Sequence, residues 1–359
     1  MGRKIYKILS YSLVACVLLA ACNKDRNKGA QPSVVEEAPP VKGVGERNVY
    51  VACEGSLGNG NASLFMQNLT SYTSYEDVFF SVNDRSLGDV FQSMERIGDR
   101  IFLCVNNSDK VIAINATTRV QEGVINIPKP RYILEINPEK AYVSTLFSNK
   151  VYIINPKTLD ITGTIDMPAQ NPEGMLLQGT KAYICTWDVN CDKVYIVSII
   201  TDQVVDSFPI AGYAPQQVVA DGYNTVWVLS GNVEKKRNAA LTQLAPGSKD
   251  IIKSFQFKDK QDVMKPVIDN GGNMLYFIAV DYNGNTGYNG IYRMGITDGT
   301  LPAVPFIPAQ KYQYYWGLGI DPISDEIYVG DPKGFVQKGT VTVYDANGHQ
   351  KRTFATGVG

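Results

Sequence analysis

The chain of 359 residues has little of the residue types on which most enzymes depend. Its one histidine, His349, lies in the turn-like stretch Asn347-Gly348-His349, which is a poor position for a general base. No CxxC pair marks a metal site, and no Gly-x-Ser-x-Gly elbow, P-loop or dinucleotide fingerprint is present. The sequence therefore predicts a protein that is not an enzyme and that holds no metal or cofactor.

The chain also lacks an excess of basic residues. It has 34 Lys+Arg against 35 Asp+Glu, a net charge of −1, and three of the basic residues fall within its first seven positions. Proteins that bind phosphate backbones usually carry a clear positive surplus. The balance therefore argues against a nucleic-acid partner.

No apolar run is long enough to cross a membrane. The longest covers residues 8–21, and fourteen residues are too few for a helix to span a ~30 Å hydrocarbon core. Because Arg3, Lys4 and Lys7 precede it, residues 1–21 are predicted to be a signal peptide. It ends in Leu19-Ala20-Ala21-Cys22, which resembles a bacterial lipobox and predicts lipidation of Cys22; an ordinary signal with a chance cysteine is the alternative.

Residues 22–45 are predicted to be a flexible tether that follows the lipidated cysteine, because they are rich in proline, glycine and scattered charge. Asn23-Lys24-Asp25 resembles the surface-export signal of Bacteroidota lipoproteins, although Arg26 departs from that pattern. We therefore expect a lipid-anchored protein of the outer membrane that is exposed at the cell surface.

What the chain has is a repeat. An aromatic residue recurs inside a short β-branched run seven times, at intervals of 52, 40, 41, 44, 49 and 52 residues: Tyr50, Phe102, Tyr142, Tyr183, Trp227, Tyr276 and Tyr328. A period of 40 to 50 residues is typical of a β-propeller. The pattern predicts an all-β fold, a seven-bladed propeller of four-stranded antiparallel blades over residues 46–359.

The clearest unit, residues 140–180, contains four strand patterns separated by turn residues. The fourth begins at Pro172, and similar strands are expected to begin near Asp89, Pro130, Pro215, Lys265 and Trp316. The chain stops at Gly359, where another such strand is expected. Since an open ring leaves unpaired edges, the closing strand is missing, is supplied unconventionally, or belongs to a truncated part of the chain.

Two segments of the sequence resemble the repeats of a known protein family. Val151-Tyr-Ile-Ile-Asn-Pro-Lys-Thr-Leu (151–159) and Pro172-Glu-Gly (172–174) resemble the repeats of YncE-like, or surface-layer-type, seven-bladed propellers. With the lipobox, the chain resembles surface propeller lipoproteins of Bacteroidota, among them the BtuG proteins. That resemblance implies capture of vitamin B12, a corrinoid, and its transfer to a TonB-dependent outer-membrane transporter.

Propeller geometry predicts where a ligand would bind. The residues that end each aromatic strand and those that enter each proline-led strand should share one face around the central channel. Aromatic rings with a few polar groups suit ligand binding. The candidates are Arg131, Tyr132, Phe147, Trp187, Asp188, Tyr213, Gln216, Asn232, Tyr282, Tyr314, Tyr315 and Trp316. The alternative is that these rings form core between blades.

Other functions remain open at this stage. A glycan- or protein-binding surface propeller would suit the same aromatic face, and a hydrolase or lyase would need carboxylates such as Glu54, Asp188 or Asp331 to meet in space. The cysteines of the propeller are Cys53, Cys104, Cys185 and Cys191. Buried packing is expected for Cys104 and Cys185, while a Cys185–Cys191 disulfide stays open.

Overall fold

The computed structural model describes residues 8–11, 47–311 and 313–359. Its strands form seven separate four-stranded sheets, in each of which neighbouring strands run antiparallel. The predicted seven-bladed propeller is confirmed. Cys22 and the predicted tether lie outside the described residues, and within these residues no helix is long and apolar enough to cross a membrane.

Each blade follows chain order from its innermost to its outermost strand. Blade 1 contains β1 (Ile8–Tyr11), β2 (Asn48–Cys53), β3 (Ser63–Asn68) and β4 (Ser74–Tyr75). Blade 2 contains β5 (Phe91–Ile97), β6 (Arg100–Val105), β7 (Lys110–Asn115) and β8 (Gln121–Asn126). Blade 3 contains β9 (Pro130–Asn137), β10 (Lys140–Thr145), β11 (Lys150–Ile154) and β12 (Ile161–Asp166). Blade 4 contains β13 (Pro172–Gln178), β14 (Lys181–Thr186), β15 (Lys193–Ser198) and β16 (Gln203–Pro209).

The remaining three blades are built in the same way. Blade 5 contains β17 (Pro215–Ala220), β18 (Val226–Asn232), β19 (Arg237–Leu244) and β20 (Ile251–Gln256). Blade 6 contains β21 (Gln261–Ile268), β22 (Met274–Asp281), β23 (Gly290–Gly295) and β24 (Ile307–Pro308). Blade 7 contains β25 (Gly317–Ile320), β26 (Ile327–Asp331), β27 (Lys338–Tyr344) and β28 (Gln350–Val358). One α-helix, α1 (Val78–Asn83), follows blade 1, and four short 3₁₀ turns lie at Asn106–Ser108, Val233–Lys235, Thr286–Tyr288 and Lys333–Phe335.

In two blades an asparagine side chain caps the turn between the third and the fourth strand. In blade 3, Asn155 Oδ1 accepts hydrogen bonds from the backbone N–H groups of Lys157 (2.8 Å) and Thr158 (3.3 Å). In blade 2, Asn115 does the same with Thr117 and Thr118, at 2.9 and 3.0 Å. An asparagine that caps its own backbone stabilises such a turn. These turns fix the register of the outer strands.

The recurring aromatic residues form core. Phe102, Tyr142, Trp227 and Tyr328 are fully buried, and they pack with aliphatic residues of their own and neighbouring blades. The Trp227 ring stacks on Phe255 with ring centroids 6.3 Å apart. The repeat in the sequence is therefore a packing repeat.

One predicted strand start is wrong by four residues. Lys265 was expected to open the innermost strand of blade 6, but β21 begins at Gln261. Pro266 instead lies inside β21, where the register shifts between Met264 and Val267 and Lys265 has a φ of 56°. Because proline has no N–H to donate, a bulge is one of the few places in a sheet that admits it. The starts expected near Asp89 and Trp316 also move, to Phe91 and Gly317.

The ring closes through two separate segments. The carbonyl of Gly359 accepts a hydrogen bond from Glu54 N (3.1 Å), and that of Val358 accepts one from Gly55 N (2.9 Å). In blade 2 the residues that enter the innermost strand make the same pair of bonds, Asn106 N to Val90 O and Asn107 N to Asp89 O. Val358 and Gly359 thus lie at the entry to the innermost position of blade 1, and β1 fills that position, paired antiparallel with β2.

The four cysteines of the propeller are buried free thiols. Cys104 and Cys185 are fully buried, which agrees with the packing role expected for them. Cys191 Sγ accepts a hydrogen bond from Thr186 Oγ1 at 3.2 Å and contacts the carbonyl of Lys193 at 3.3 Å. In this structure Cys185 and Cys191 are not bridged.

The pairing of β1 with β2 can be tested by truncation. A chain that begins at Cys22 lacks β1 and exposes the inner edge of β2, so its thermal midpoint should fall by about 5 °C or more, since each kcal/mol shifts the midpoint of a large domain by ~2–4 °C. Differential scanning calorimetry of the unlipidated chains would measure this. A chain that begins at Arg47 serves as the control and should match the Cys22 chain. Equal midpoints for all three chains would contradict the role of β1.

Candidate functional site

A cavity opens at the mouth of the central channel, on the face where the innermost strands begin. Its volume is about 40 Å³. Blades 3 to 7 supply its walls: Arg131, Tyr132, Glu173, Trp187, Gln216, Gln217, Gly231, Asn232, Asp262, Val263, Met264 and Trp316. We call the face that carries it the entry face.

A repeated backbone contact creates the entry face. The residue before β9, β13, β17 and β21 has a positive φ of 44 to 59°: Lys129, Asn171, Ala214 and Lys260. The carbonyl of each accepts a hydrogen bond of 2.7 to 3.0 Å from the residue at the end of the second strand of its blade: Leu146, Trp187, Gly231 and Tyr282. The ends of second strands and the starts of innermost strands therefore meet, as the sequence predicts.

Half of the predicted ligand-binding residues line the cavity. These are Arg131, Tyr132, Trp187, Gln216, Asn232 and Trp316. Trp187 is held in place by a hydrogen bond from its Nε1 to the carbonyl of Gly231, 2.9 Å long. Gln216 donates to the same carbonyl at 3.2 Å. The side chains of two adjacent blades are thereby tied together at the cavity wall.

Four of the remaining aromatic residues extend the surface outward from the cavity. Tyr314 stacks on Trp316 with ring centroids 5.5 Å apart, and its hydroxyl lies 3.2 Å from that of Tyr282. Tyr213 is exposed on one side and covered on the other by the Arg237 guanidinium, 4.3 Å from the ring centroid. Phe147 is 78 % exposed in the loop that follows β10. These rings surround the cavity without lining it.

Two predicted residues have structural positions instead. Tyr315 is 3 % exposed and packs in the core cluster that also contains Trp316. Its hydroxyl contacts Gln313 Oε1 at 3.1 Å, and burial raises its pKa. Asp188 accepts hydrogen bonds from the backbone N–H groups of Asn190 (2.9 Å) and Gln170 (3.3 Å), so its carboxylate organises its own loop.

A ring of polar residues lies at the channel mouth, and sequence reasoning found only part of it. The second residue of five consecutive innermost strands is polar: Gln92, Arg131, Glu173, Gln216 and Asp262. Gln92 and Asp262 were missed, because the search for proline-led starts misplaced β5 and β21. In the structure the residue of positive φ before each strand brings all five polar residues into alignment, but its residue type varies from blade to blade and gives no signal in the sequence.

The centre of this ring is a buried ion pair. Arg131 Nε lies 2.8 and 3.1 Å from the two carboxylate oxygens of Glu173, and Arg131 also donates through Nη1 to Gln92 Oε1. The two side chains are 8 % and 2 % exposed. Burial raises the pKa of the Glu173 carboxyl, against the effect of the adjacent cation. Burial also disfavours the charged Arg131, but Glu173, Tyr132 and Glu54 together outweigh this effect and raise the pKa of Arg131.

The chain matches one described protein family over most of its length. Residues 47–357 match the family described as "Domain of unknown function (DUF5074)". The chain belongs to the DUF5074 family. The match covers the propeller from Arg47 onward and leaves out β1. No curated protein matches this DUF5074 chain.

Solved structures share the fold of this DUF5074 propeller at low sequence identity. A quinonprotein alcohol dehydrogenase-like protein from Bacteroides thetaiotaomicron is 14 % identical, with a TM-score of 0.61 over 87 % of this chain and 82 % of that one. Hydrazine synthase of Kuenenia stuttgartiensis is 14 % identical, with a TM-score of 0.55 over 69 % and 74 %. The computationally designed Ika8 protein is 11 % identical, with a TM-score of 0.55 over 86 % and 83 %. At such identities the likeness concerns the fold alone.

The stability of the DUF5074 propeller should depend on the buried Arg131–Glu173 ion pair. Replacing Glu173 by Gln leaves the Arg131 cation buried without its counter-charge, so the free energy of unfolding should fall by about 3–5 kcal/mol. Urea denaturation followed by tryptophan fluorescence would measure the change.

The exposed pair Lys157–Glu139, at 61 % and 67 % exposed, provides the control. Glu139→Gln should leave the free energy of unfolding nearly unchanged, because an exposed ion pair contributes little. The double replacement of Arg131 and Glu173 by Met should recover much of the loss, because no unpaired charge remains. A loss below 1 kcal/mol for Glu173→Gln would contradict the central role of the pair.

Proposed function

We propose that this chain is a binding protein without catalytic activity, and that it captures a ligand on the entry face. The observation that carries the proposal is the convergence of Trp187, Trp316 and Tyr132 with the polar ring at one cavity. Ligand sites typically combine apolar and aromatic area with a few polar groups that fix orientation. This cavity has that composition.

The size of the cavity indicates how a ligand would bind. A volume of about 40 Å³ admits a few water molecules or one small chemical group, since one water needs roughly 10–15 Å³ on this measure. Most of a larger ligand would lie outside it, against the exposed rings of Tyr213 and Tyr282 and the half-buried ring of Tyr314. The site thus suits a broad molecule that places one short arm in the cavity.

A corrinoid is our preferred ligand. It is a broad ring fringed with amide arms, and such an arm could enter the cavity while the ring rests on the surrounding aromatic side chains. The resemblance of residues 151–159 and 172–174 to the YncE-like repeats, together with the lipobox, supports this choice. The same resemblance supports anchorage through Cys22 at the outer-membrane surface and transfer of the ligand to a TonB-dependent transporter.

A glycan is the second candidate, favoured by the exposed rings of Phe147, Tyr213 and Tyr282 on the entry face. Sugars stack on such rings through their apolar faces. A hydrolase or lyase has weaker support, because Asp188 is used within its own loop and Asp331 pairs with Lys333 at 2.8 Å. Among the described residues no group of three or more His, Cys, Asp and Glu is placed to hold a metal ion.

Calorimetric titration with cyanocobalamin tests the proposal. We expect binding at micromolar protein, and replacement of Trp187 or Trp316 by Ala should weaken it more than tenfold, because each removes a large aromatic surface from the cavity wall. Tyr223 is the control: it is 66 % exposed in the turn between β17 and β18, on the opposite face, and Tyr223→Ala should leave the affinity unchanged.

Absence of heat with cyanocobalamin at micromolar protein would remove the corrinoid. Affinity gel electrophoresis with soluble polysaccharides then tests the glycan. Binding that survives both tryptophan replacements would show that the entry face is the wrong surface.

A further inference from the structure

The three tryptophans of the chain differ in the hydrogen-bond partner of their indole N–H groups. Trp187 donates to the carbonyl of Gly231 and Trp227 to Asp221 Oδ2, both at 2.9 Å. Trp316 is 1 % exposed, yet its Nε1 has no acceptor in the part of the chain that the structure describes. A buried donor without a partner is unfavourable, because it has lost its hydrogen bonds to water. Since Trp316 lines the cavity, an oxygen atom placed there is the natural acceptor.

A second buried donor lies next to the same wall. The Oε1 of Gln92 accepts from Arg131, which lines the cavity, while Gln92 Nε2 has no acceptor among the described residues. Gln92 is fully buried. Trp316 Nε1 and Gln92 Nε2 are N–H donors, and the hydroxyl of the wall residue Tyr132, also unpaired among the described residues, can donate as well. The missing partner is therefore a hydrogen-bond acceptor.

The charges of the cavity wall determine what kind of acceptor fits. The one cation of the wall, Arg131, is neutralised by both carboxylate oxygens of Glu173. A further carboxylate, Asp262, is 5 % exposed in the same wall. The buried Lys265, on the same strand as Asp262, adds a second positive charge that acts to lower the pKa of Glu173. The two cations and the two carboxylates balance, so a neutral acceptor leaves this balance undisturbed, whereas an anionic group would add an uncompensated charge.

We propose that the cavity binds a neutral carboxamide, with its carbonyl oxygen as the acceptor for Trp316 Nε1 and its N–H₂ group available to acceptors such as the Asp262 carboxylate. A carboxamide is planar, small enough for a cavity of about 40 Å³, and carries both an acceptor and donors. This inference rests on the entry face being the ligand site. It names the chemical group that the site selects.

The NMR signals of the three indole N–H groups can test this proposal. In a ¹⁵N–¹H spectrum of the chain labelled at tryptophan, the three signals are assigned with Trp187→Phe and Trp316→Phe. Titration with acetamide should move the Trp316 signal saturably at about 1–100 mM, because a ligand of so few atoms binds weakly. The Trp227 signal should not move, since its donor is already paired with Asp221.

Acetate is the matched control, equal in size and shape but charged. It should leave the Trp316 signal in place at the same concentrations and ionic strength. Equal responses to acetamide and acetate, or no response to acetamide at 200 mM, would overturn the proposal. A response to glucose but not to acetamide would assign the cavity to a sugar hydroxyl instead.

The substitution Trp316→Phe tests the contribution of the Nε1–H donor separately from that of the aromatic ring. The substitution keeps an aromatic side chain but removes Nε1, so the acetamide dissociation constant, measured from the Trp187 signal, should rise about threefold to tenfold. An unchanged constant would contradict the role of Nε1. If acetamide binds and cyanocobalamin does not, the carboxamide site stands and the corrinoid is wrong. If cyanocobalamin binds and acetamide does not, only the carboxamide inference is lost.

Discussion

The entry face depends on one backbone hydrogen bond that recurs around the ring. In each case the residue before an innermost strand turns to positive φ, and its carbonyl accepts the N–H at the end of the second strand. The residues in this position are Val90, Lys129, Asn171, Ala214, Lys260 and Gly359. Five of the six are not glycine, although a positive φ is unfavourable for side chains that branch at Cβ, such as Val90. The surrounding sheet therefore imposes the conformation, and local sequence preference does not.

This constraint explains why the same strand position is polar in so many blades. Once the entry residue is fixed, the second residue of the strand reaches the channel mouth, where water or a ligand can satisfy a polar group. Gln92, Arg131 and Glu173 then satisfy part of one another's hydrogen-bonding capacity. What they leave unsatisfied, together with Trp316 Nε1, gives the cavity its chemical preference. Scaffold and specificity thus arise from adjacent residues of the same strand.

The fold and the location of the site could be predicted from the sequence because both follow from periodic features. The aromatic repeat reflects core packing between blades, and strand ends must meet wherever such blades form a ring. Details that depend on three-dimensional contact could not be predicted. The bulge at Pro266 displaced the expected start of β21, and nothing in the run of consecutive aromatic residues 314–316 marks Tyr315 as fully buried and Tyr314 as half-buried. The small volume of the cavity depends on how five blades approach one another, which no single segment encodes.

The segments that close the ring are different from those that form the ligand site. The cavity is built by blades 3 to 7, whereas β1 and the residues Val358 and Gly359 meet in blade 1. If residues 1–21 are removed on export, the inner edge of β2 loses its partner, and its backbone groups then require another strand or water. β1 supplies no residue of the cavity wall, but it lies against β25, which begins directly after the wall residue Trp316. Ligand binding measured on a chain without β1 therefore bears on the entry face and on this contact together.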